Sequence, residues 1–241
     1  MTAAAPVVEM QGVEKPYGGL RPLRIRAFQF QAGDRVWLTG LDAAAAETFV
    51  NLTTGASVPE AGAVRVDGQD TREIATDTEW LASLDRFGIV THRAVLVDGL
   101  SIAANLALPL TLSVDPMSDV TRAAVLALAR EVALPETRLT AAAATLTPVE
   151  RVRVDLARGL AHGPRVLLLE HPTARLAGDA DASRQAGECL REVARRRNLG
   201  WLALSEDVAF MEAAGGTRLE LRPATGELVE PNRRRTWWRR S

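Results

Sequence analysis

The run RVLLLE, residues 165–170, places the strongest constraint on how this chain can fold. It lies between a helical pattern that ends at Gly163-Pro164 and a second helical pattern, DADASRQAGECLREVARRRN. Continuous apolar runs of this length are typical of central strands in parallel sheets, because both faces of such strands are buried. The segment GWLALSED after the second helical pattern is also a predicted strand. Strands that alternate with helices in this way predict a mainly parallel α/β sheet.

The N-terminal third of the chain has a different pattern. Residues 6–14 and 23–31 mix apolar and polar residues as half-buried strands do. RVWLTG and FGIVTH are further predicted strands, and GAVRVDGQD predicts a strand and a turn. From about residue 94 to 161 the pattern is helical, and near the C-terminus TRLELRP predicts a strand and TGEL a turn. We expect one domain over residues 1–230, with an antiparallel strand subdomain and an inserted helical subdomain at about 94–161.

Composition and charge exclude several classes of protein. The formal net charge is −1, which gives no overall attraction to nucleic acid or membrane. The single cysteine, Cys189, cannot form an internal disulfide, and no apolar run approaches the length of a membrane-spanning helix. The N-terminus has no basic region followed by a long apolar stretch, so no signal peptide is predicted. We expect a cytoplasmic protein, peripheral at the inner face of the membrane.

The C-terminal tail, residues 231–241, contains NRRRTWWRRS. Adjacent tryptophans among arginines suit an anionic membrane surface or an acidic groove on a partner. RNA binding by stacking has no support elsewhere in the chain, so no nucleic-acid partner is expected. A solvated, disordered end is the other interpretation of the tail.

The order of the predicted elements resembles that of the nucleotide-binding subunits of ATP-binding-cassette (ABC) transporters, from about residue 6 to 230. The most specific stretch is LTPVERVRVDLARGLAHGPRVLLLEHPTARL, residues 146–176, which is similar to the family's signature helix and Walker B strand. GIVTHRAVLVDGLSIAANLALPL resembles the Q-loop segment, and VEKPYGG resembles the loop whose aromatic residue, here Tyr17, stacks on adenine. The resemblance implies a P-loop NTPase-type ABC ATPase fold.

The residues that carry out chemistry in this family are replaced. In the Walker A loop, GLDAAAAET, Gly40 and Thr48 match the family, Ala43 and Ala45 replace glycines, Ala46 replaces the phosphate-binding lysine, and Glu47 replaces the magnesium-binding hydroxyl. The signature serine, two glycines and glutamine are replaced by Thr147, Pro148, Val149 and Glu150. The Walker B aspartate, the general-base glutamate, the switch histidine, the Q-loop glutamine and the D-loop aspartate are replaced by Glu170, His171, Glu206, His92 and Ala177.

These replacements predict a degenerate subunit, a pseudo-ATPase. Without the glycines, the backbone N–H groups of the loop cannot approach a phosphate closely. Without the lysine, the loop lacks the positive charge that binds the phosphate. No cofactor is expected, and ATP with magnesium could bind only weakly. One alternative is a weakly nucleotide-binding subunit paired with an active ATPase, and another is a soluble scaffold or regulator without a transporter. The expected partners of a pseudo-ATPase are a membrane permease and a second ABC subunit, in a homodimer or heterodimer.

Two helix N-termini that would face phosphate carry patterns that satisfy their own N–H groups. TPVE, residues 147–150, is a capping box with Pro148 at the first helical position. Asp42 is a predicted N-cap, and Glu47 is expected to complement the helix dipole in the early turns. The alternative is that the loop drifted to alanines under relaxed selection and that the caps are coincidental.

Two further expectations concern metals and docking. His92, His162 and His171 are scattered without metal-ligand spacing, so no metal site is predicted. The family contacts its permease through the region that corresponds to His92 to Leu110, and we expect Leu96, Val97 and Leu100 to be exposed there.

Overall fold

A small antiparallel sheet forms the N-terminal part of the protein. The computed structural model describes residues 5–176 and 178–231. Strand β1 pairs with β2 on one side and β4 on the other, in the order β2-β1-β4-β5. The strands are β1 (Val8–Lys15), β2 (Leu23–Phe30), β4 (Ala61–Val66) and β5 (Gln69–Asp70). This confirms the predicted antiparallel subdomain.

Within the described residues, the central sheet has six strands in the order β10-β9-β3-β8-β7-β6. Its core is parallel, because β3 pairs with β8 and β9, and β7 pairs with β6 and β8, all in parallel register. Strand β10 runs antiparallel to its neighbour β9. The strands are β3 (Arg35–Thr39), β6 (Phe87–Thr91), β7 (Val166–Glu170), β8 (Gly200–Leu204), β9 (Thr217–Arg222) and β10 (Glu227–Val229). Every residue of β7 and β8 is buried, as the apolar runs predict.

Helices cover both faces of the central sheet. They are α1 (Ala43–Thr53), α2 (Asp77–Leu84), α3 (Ile102–Ala107), α4 (Asp119–Glu131), α5 (Pro148–Gly159), α6 (Ala180–Arg197) and α7 (Val208–Ala214). Helices α3, α4 and α5 lie between β6 and β7, within the segment predicted to be helical. The subdomain boundaries at about 94 and 161 stay a prediction. In the described ranges no helix is long and apolar enough to span a bilayer.

The two faces of the sheet bury separate cores. One core contains α1 and the apolar faces of β1, β2 and β4. The other contains α3 to α7 and a tryptophan pair, Trp37 and Trp201, whose ring centroids lie 5.6 Å apart. Phe210 packs against Trp37 at 5.2 Å in an edge-to-face arrangement.

Three elements differ from the sequence-based expectations. Helices α2 and α7 were not predicted, and the TGEL segment, predicted as a turn, also contains the start of β10. Helix α2 has no buried residue, so it lacks the apolar face on which a periodicity argument rests. Strand β10 has only three residues and is held by pairing with β9, a contact that local sequence does not reveal.

Candidate functional site

The loop between β3 and α1 is short, and helix α1 follows it directly. Helix α1 begins at Ala43, so the four alanines of GLDAAAAET lie inside it. The Asp42 side chain caps the helix by accepting a hydrogen bond from the Ala45 N–H at 2.8 Å. Ala46, at the position of the family's lysine, is 0% exposed, and Ala45 is also buried. Alanine has the highest helix propensity, which favours a helix that begins at the first of these alanines.

A second carboxylate satisfies the first N–H of the loop. The Gly40 N–H donates to Glu206 Oε1 at 2.7 Å. Gly40 has φ +81°, and an added Cβ would lie 2.8 Å from the carbonyl oxygen of Leu221, so only glycine fits there. Glu206, the residue at the switch-histidine position, therefore binds the loop itself. This contact joins residues 166 positions apart and could not be read from local sequence.

Tyr17 lies over the same loop. Its hydroxyl lies 3.5 Å from Asp42 Oδ2, and burial together with the Asp42 carboxylate raises the pKa of the phenol. The ring also lies beside Gly19, where an added Cβ would lie 2.7 Å from the ring. Stacking of Tyr17 on adenine stays a prediction.

Arg93 forms ion pairs with both α1 and the end of β7. Its Nη1 lies 2.5 Å from Glu47 Oε1, and its Nη2 and Nε lie 2.7 and 3.2 Å from Glu170 Oε2. The Thr91 hydroxyl donates to the same Glu170 oxygen at 2.8 Å. Sequence reasoning missed Arg93, although it is the residue after His92 in the Q-loop segment.

This geometry corrects the role expected for Glu47. No acidic residue lies in the first turn of α1, because Glu47 is the fifth residue of the helix. The dipole effect falls off within the first turn. The prediction that Glu47 complements the helix dipole is therefore wrong, and its charge is instead paired with Arg93.

His92 and His171 meet beside Glu170. Their ring centroids lie 5.9 Å apart in an edge-to-face arrangement, whereas His162 lines a different groove. His171 has φ +43°, and its N–H donates to the carbonyl of Leu204 at 2.9 Å. Burial lowers the pKa of the His171 imidazole and the nearby His92 adds to this, against the opposing effects of Glu170 and Glu206. The net shift is downward, which favours the neutral imidazole.

An open cleft of about 420 Å³ lies next to His171. Ser183 donates to Asp207 Oδ2 at 2.6 Å on its wall, and Asp207 also caps α7 through the Phe210 N–H. Since Asp207 is engaged by both groups, these polar residues stabilise the wall. No group of three or more His, Cys, Asp or Glu residues in the described ranges is arranged to hold a metal ion.

The N-terminus of α5 is closed by the predicted capping box. The Thr147 side chain accepts from the Glu150 N–H at 3.3 Å, and Glu150 Oε2 accepts from the Thr147 N–H at 2.9 Å. Pro148 occupies the first helical position, and Val149 is half-buried beside it. Arg138 adds two hydrogen bonds to the Glu150 carboxylate, at 3.0 and 3.2 Å. Burial raises the pKa of Glu150, but the bonds from Arg138 and Thr147 outweigh it, so the net shift is downward.

Arg175 connects the Q-loop segment to the middle of α5. Its Nη2 donates to the carbonyls of His92 and Ala94 at 2.8 and 3.1 Å, and its Nη1 lies 3.5 Å from Asp155 Oδ2. Asp155 is 7% exposed, and burial raises the pKa of its carboxyl to about 6 despite the opposing effect of Arg175. Ala177, at the D-loop position, and the tail residues 232–241 lie outside the described residues.

The expected docking surface is partly different from the prediction. Leu96 is only 5% exposed, so the expectation that it is a surface residue is wrong, because it packs in the helical core. Val97 is 46% exposed, as predicted, Leu100 is half-buried, and Val95 is 73% exposed. Close by, an open groove of about 480 Å³ lies between α2, β6 and the end of α5.

Comparison with known proteins connects this geometry to a family. The sequence profile of the ABC transporter family matches residues 23–174. The chain is 33% identical over 222 residues to the multidrug efflux ATP-binding/permease protein of Mycobacterium bovis, covering 86% of this chain and 18% of that protein. It is 31% identical over 172 residues to the methionine import ATP-binding protein MetN of Caulobacter vibrioides, covering 70% and 51%. The chain thus spans from about a fifth to about half the length of these curated relatives.

Solved structures share the fold at lower sequence identity. The ATP-binding cassette MJ0796, in a dimeric post-hydrolysis state bound to ADP and Pi, is 20% identical with a TM-score of 0.73, over 92% of this chain and 98% of that chain. The cbiO1 protein of Clostridium perfringens, part of the cbiONQ transporter complex, is 16% identical with a TM-score of 0.75, over 93% and 87%. With a family profile that matches residues 23–174 of a 241-residue chain, this protein belongs to the ABC transporter family.

Proposed function

We propose that this chain is an ABC subunit that does not hydrolyse ATP and that serves a structural or regulatory role on a membrane permease. One observation carries the proposal: the chain's own carboxylates lie at the positions where the family places phosphate and its metal. Asp42 caps α1, Glu206 accepts from the Gly40 N–H, and Glu47 lies on α1 at the metal-ligand position. The Asp42 and Glu206 carboxylates repel a phosphate, whereas the charge of Glu47 is balanced by Arg93.

The size of the electrostatic repulsion favours loss of nucleotide binding. Two like charges 4 Å apart repel by about 4 kcal/mol at an effective dielectric of about 20. Each 1.4 kcal/mol changes a dissociation constant about tenfold. One such contact with a phosphate, added to the missing lysine, therefore weakens nucleotide binding by orders of magnitude. Neutral His171 could accept a proton from water, but a base of this kind has no role without a bound phosphate.

The first prediction is that the protein neither hydrolyses ATP nor changes its melting temperature with millimolar ATP and magnesium. The physical reason is that carboxylates of the chain lie at the loop and repel a phosphate. The matched variant combines Ala43→Gly, Ala45→Gly, Ala46→Lys and Glu47→Ser, and it should gain a magnesium-dependent melting shift if the loop alone limits binding. A magnesium-dependent shift in the wild-type protein would contradict the proposal and favour a weak nucleotide-binding subunit paired with an active ATPase.

A hydrolysis rate that His171→Ala abolishes would contradict it more strongly. That result would assign His171 as a working base.

Docking on a permease is the second half of the proposal. The groove between α2, β6 and α5 is lined by apolar and polar side chains, namely Leu81, Leu84, Phe87, Ile89, Asp85, Arg158 and His162. Leu81 is 57% exposed, and Arg158 donates to the carbonyl of the exposed Val95 at 3.1 Å. A groove lined by both apolar and charged side chains suits an amphipathic helix of a membrane protein. Relatives described as ATP-binding/permease and import ATP-binding proteins support this kind of partner.

Cofractionation with membranes that contain the cognate permease tests this half. Leu81→Glu and Val95→Glu should release the chain, and Val120→Glu should not, because Val120 is 81% exposed on α4, away from this groove. Equal retention of all three variants would show that docking does not use this groove, and recovery of the wild-type chain only in the soluble fraction would favour a free regulator. A second ABC subunit in a homodimer or heterodimer would appear in the same fractions.

A further inference from the structure

Arg93 places one positive charge between two carboxylates on different elements. Glu47 lies on α1 and Glu170 ends β7, and the Arg93 guanidinium reaches them at 2.5 and 2.7 Å. The Thr91 hydroxyl completes the group through Glu170 Oε2, at 2.8 Å. We refer to Glu47, Thr91, Arg93 and Glu170 as the Arg93 cluster.

Glu170 makes this cluster more than a surface ion pair. Its side chain is 1% exposed, whereas those of Arg93 and Glu47 are 39% and 46% exposed. Glu170 Oε1 is buried and has no hydrogen-bond partner in the described ranges. A buried carboxylate needs a counter-charge, because water no longer solvates it. The Arg93 guanidinium supplies this counter-charge.

Oxygen ligands of this kind are also the type that binds metal cations. Two carboxylates and a hydroxyl are the hard donors that Mg²⁺, Mn²⁺ and Ca²⁺ prefer. A guanidinium carries one charge in a planar fork, which matches carboxylates on two sides. Arg93 thus has the position and the hydrogen-bond geometry of a resident cation supplied by the chain.

We infer that the Arg93 guanidinium occupies, and blocks, a divalent-cation site formed by Glu47, Glu170 and Thr91. This inference deepens the proposed function. It rests on that function because it assumes that the wild-type chain works without a bound metal. It names the group that makes the metal unnecessary. The cation is the side chain of Arg93, so it is part of the protein itself.

This built-in cation also fixes the connection into the helical region. Arg93 holds the segment to α1 and β7, and Arg175 holds the adjacent carbonyls of His92 and Ala94. Both guanidinium groups come from the chain itself. The segment from residue 91 to 95 is therefore fixed without a bound ligand.

Removing the guanidinium should open the site to metal. The Arg93→Ala protein, titrated with Mn²⁺, Ca²⁺ or Mg²⁺ alone and without nucleotide, should gain a melting temperature increase of about 3–6 °C at ten times the dissociation constant. The wild-type protein should show no such increase. Arg93→Ala combined with Glu47→Gln should lose the response, because one carboxylate is then neutral.

Arg197→Ala is the matched control. Arg197 also makes two charged hydrogen bonds, at 2.6 and 2.7 Å, but both go to one carboxylate, Glu131. Its removal leaves one carboxylate instead of two, so this variant should melt lower without responding to metal. A metal response equal to that of Arg93→Ala would show nonspecific binding and overturn the inference.

Folding of the variant does not limit the test. If Arg93→Ala is unfolded in metal-free buffer, Mn²⁺ should restore its folded circular-dichroism spectrum, and Arg93→Lys should fold without metal because it keeps the charge. An Arg93→Ala protein that is as stable as the wild type, or that stays unresponsive to all three metals, would overturn the inference. A wild-type response to ATP with magnesium would overturn the proposed function instead, so the two failures are distinguishable.

Discussion

The N-termini of α1 and α5 are both closed by carboxylates, but they are closed in different ways. At α5 the closing groups are three residues apart, Thr147 and Glu150, and Arg138 supports them from the same helical region. At α1 the local cap is Asp42 alone, and the preceding N–H of Gly40 depends on Glu206 at the end of β8. One closure is local in sequence and the other depends on the fold.

The difference shows what a helix N-terminus needs when no anion binds it. The N–H groups of a first turn need acceptors, and the partial positive charge favours a carboxylate. Helix α5 obtains both from its own first turn. Helix α1 obtains only its cap in this way, because its next residues are alanines, and the tertiary structure supplies the second carboxylate.

The largest expected effect comes from the middle of α5. The pKa of Asp155 is raised to about 6 from 3.8, so its contribution to stability is complete below pH 3.8 and is lost as the pH rises to about 6. Two pKa units correspond to about 3 kcal/mol. We expect Asp155→Asn to raise the free energy of unfolding at pH 7.5 by about 1–3 kcal/mol and to remove this part of the pH dependence.

Denaturant midpoints from pH 4 to 8 measure the effect of Asp155→Asn. Asp98→Asn is the control. Asp98 pairs with Arg151 on α5, but the Asp98 side chain is 64% exposed. If Asp98→Asn and Asp155→Asn change the pH profile equally, burial of Asp155 is not the cause.

The second prediction compares the two caps directly. Thr147→Ala should destabilise the protein by about 1–2 kcal/mol, because it breaks a box in which Glu150 and Arg138 also take part. Asp42→Ala should cost about 0.5–1 kcal/mol, because the rest of that loop is held by Glu206. Urea unfolding of both variants measures the difference.

Ser118→Ala provides the reference for these two variants, since Ser118 caps α4 by a hydroxyl bond to the Thr121 N–H without a charged partner. A larger loss for Asp42→Ala than for Thr147→Ala would reverse the comparison. Equal and negligible losses for both would support drift over self-capping.

The smallest effect is expected at Glu206. Glu206→Gln keeps an acceptor for the Gly40 N–H but removes the charge, so we expect a loss of about 0.5–1 kcal/mol. Glu212→Gln, at an exposed position on α7, is the control. Chemical-shift change of the Gly40 amide gives a direct measure, and an unchanged amide would place this carboxylate outside the closure.

The elements that sequence predicted well are those whose signal is local. The apolar runs of β7 and β8 and the capping box at Thr147 contain their own physical cause, namely burial on both faces and a first turn that bonds to itself. Helix α2 and strand β10 have no such cause, because one lacks buried residues and the other depends on pairing with β9.

The same reasoning explains the site. The sequence predicted the Asp42 cap and the Thr147–Glu150 box, and it identified Glu47, Glu170 and Glu206 as replaced positions. It did not predict their partners, since Arg93 to Glu47 and Gly40 to Glu206 join residues 46 and 166 positions apart. Charge balance offered a signal: acidic residues at adjacent core motifs require a cation, and Arg93 is the basic residue inside the Q-loop segment.

The Arg93 cluster also restricts how this sequence can change over generations. A single replacement of Glu47 weakens the pairing of Arg93, and a single replacement of Arg93 leaves Glu170 buried without a counter-charge. Changes at these positions are tolerated together and penalised one at a time. Among close relatives the three positions should therefore covary as a set, and a return to the family's residues would have to pass through less stable intermediates.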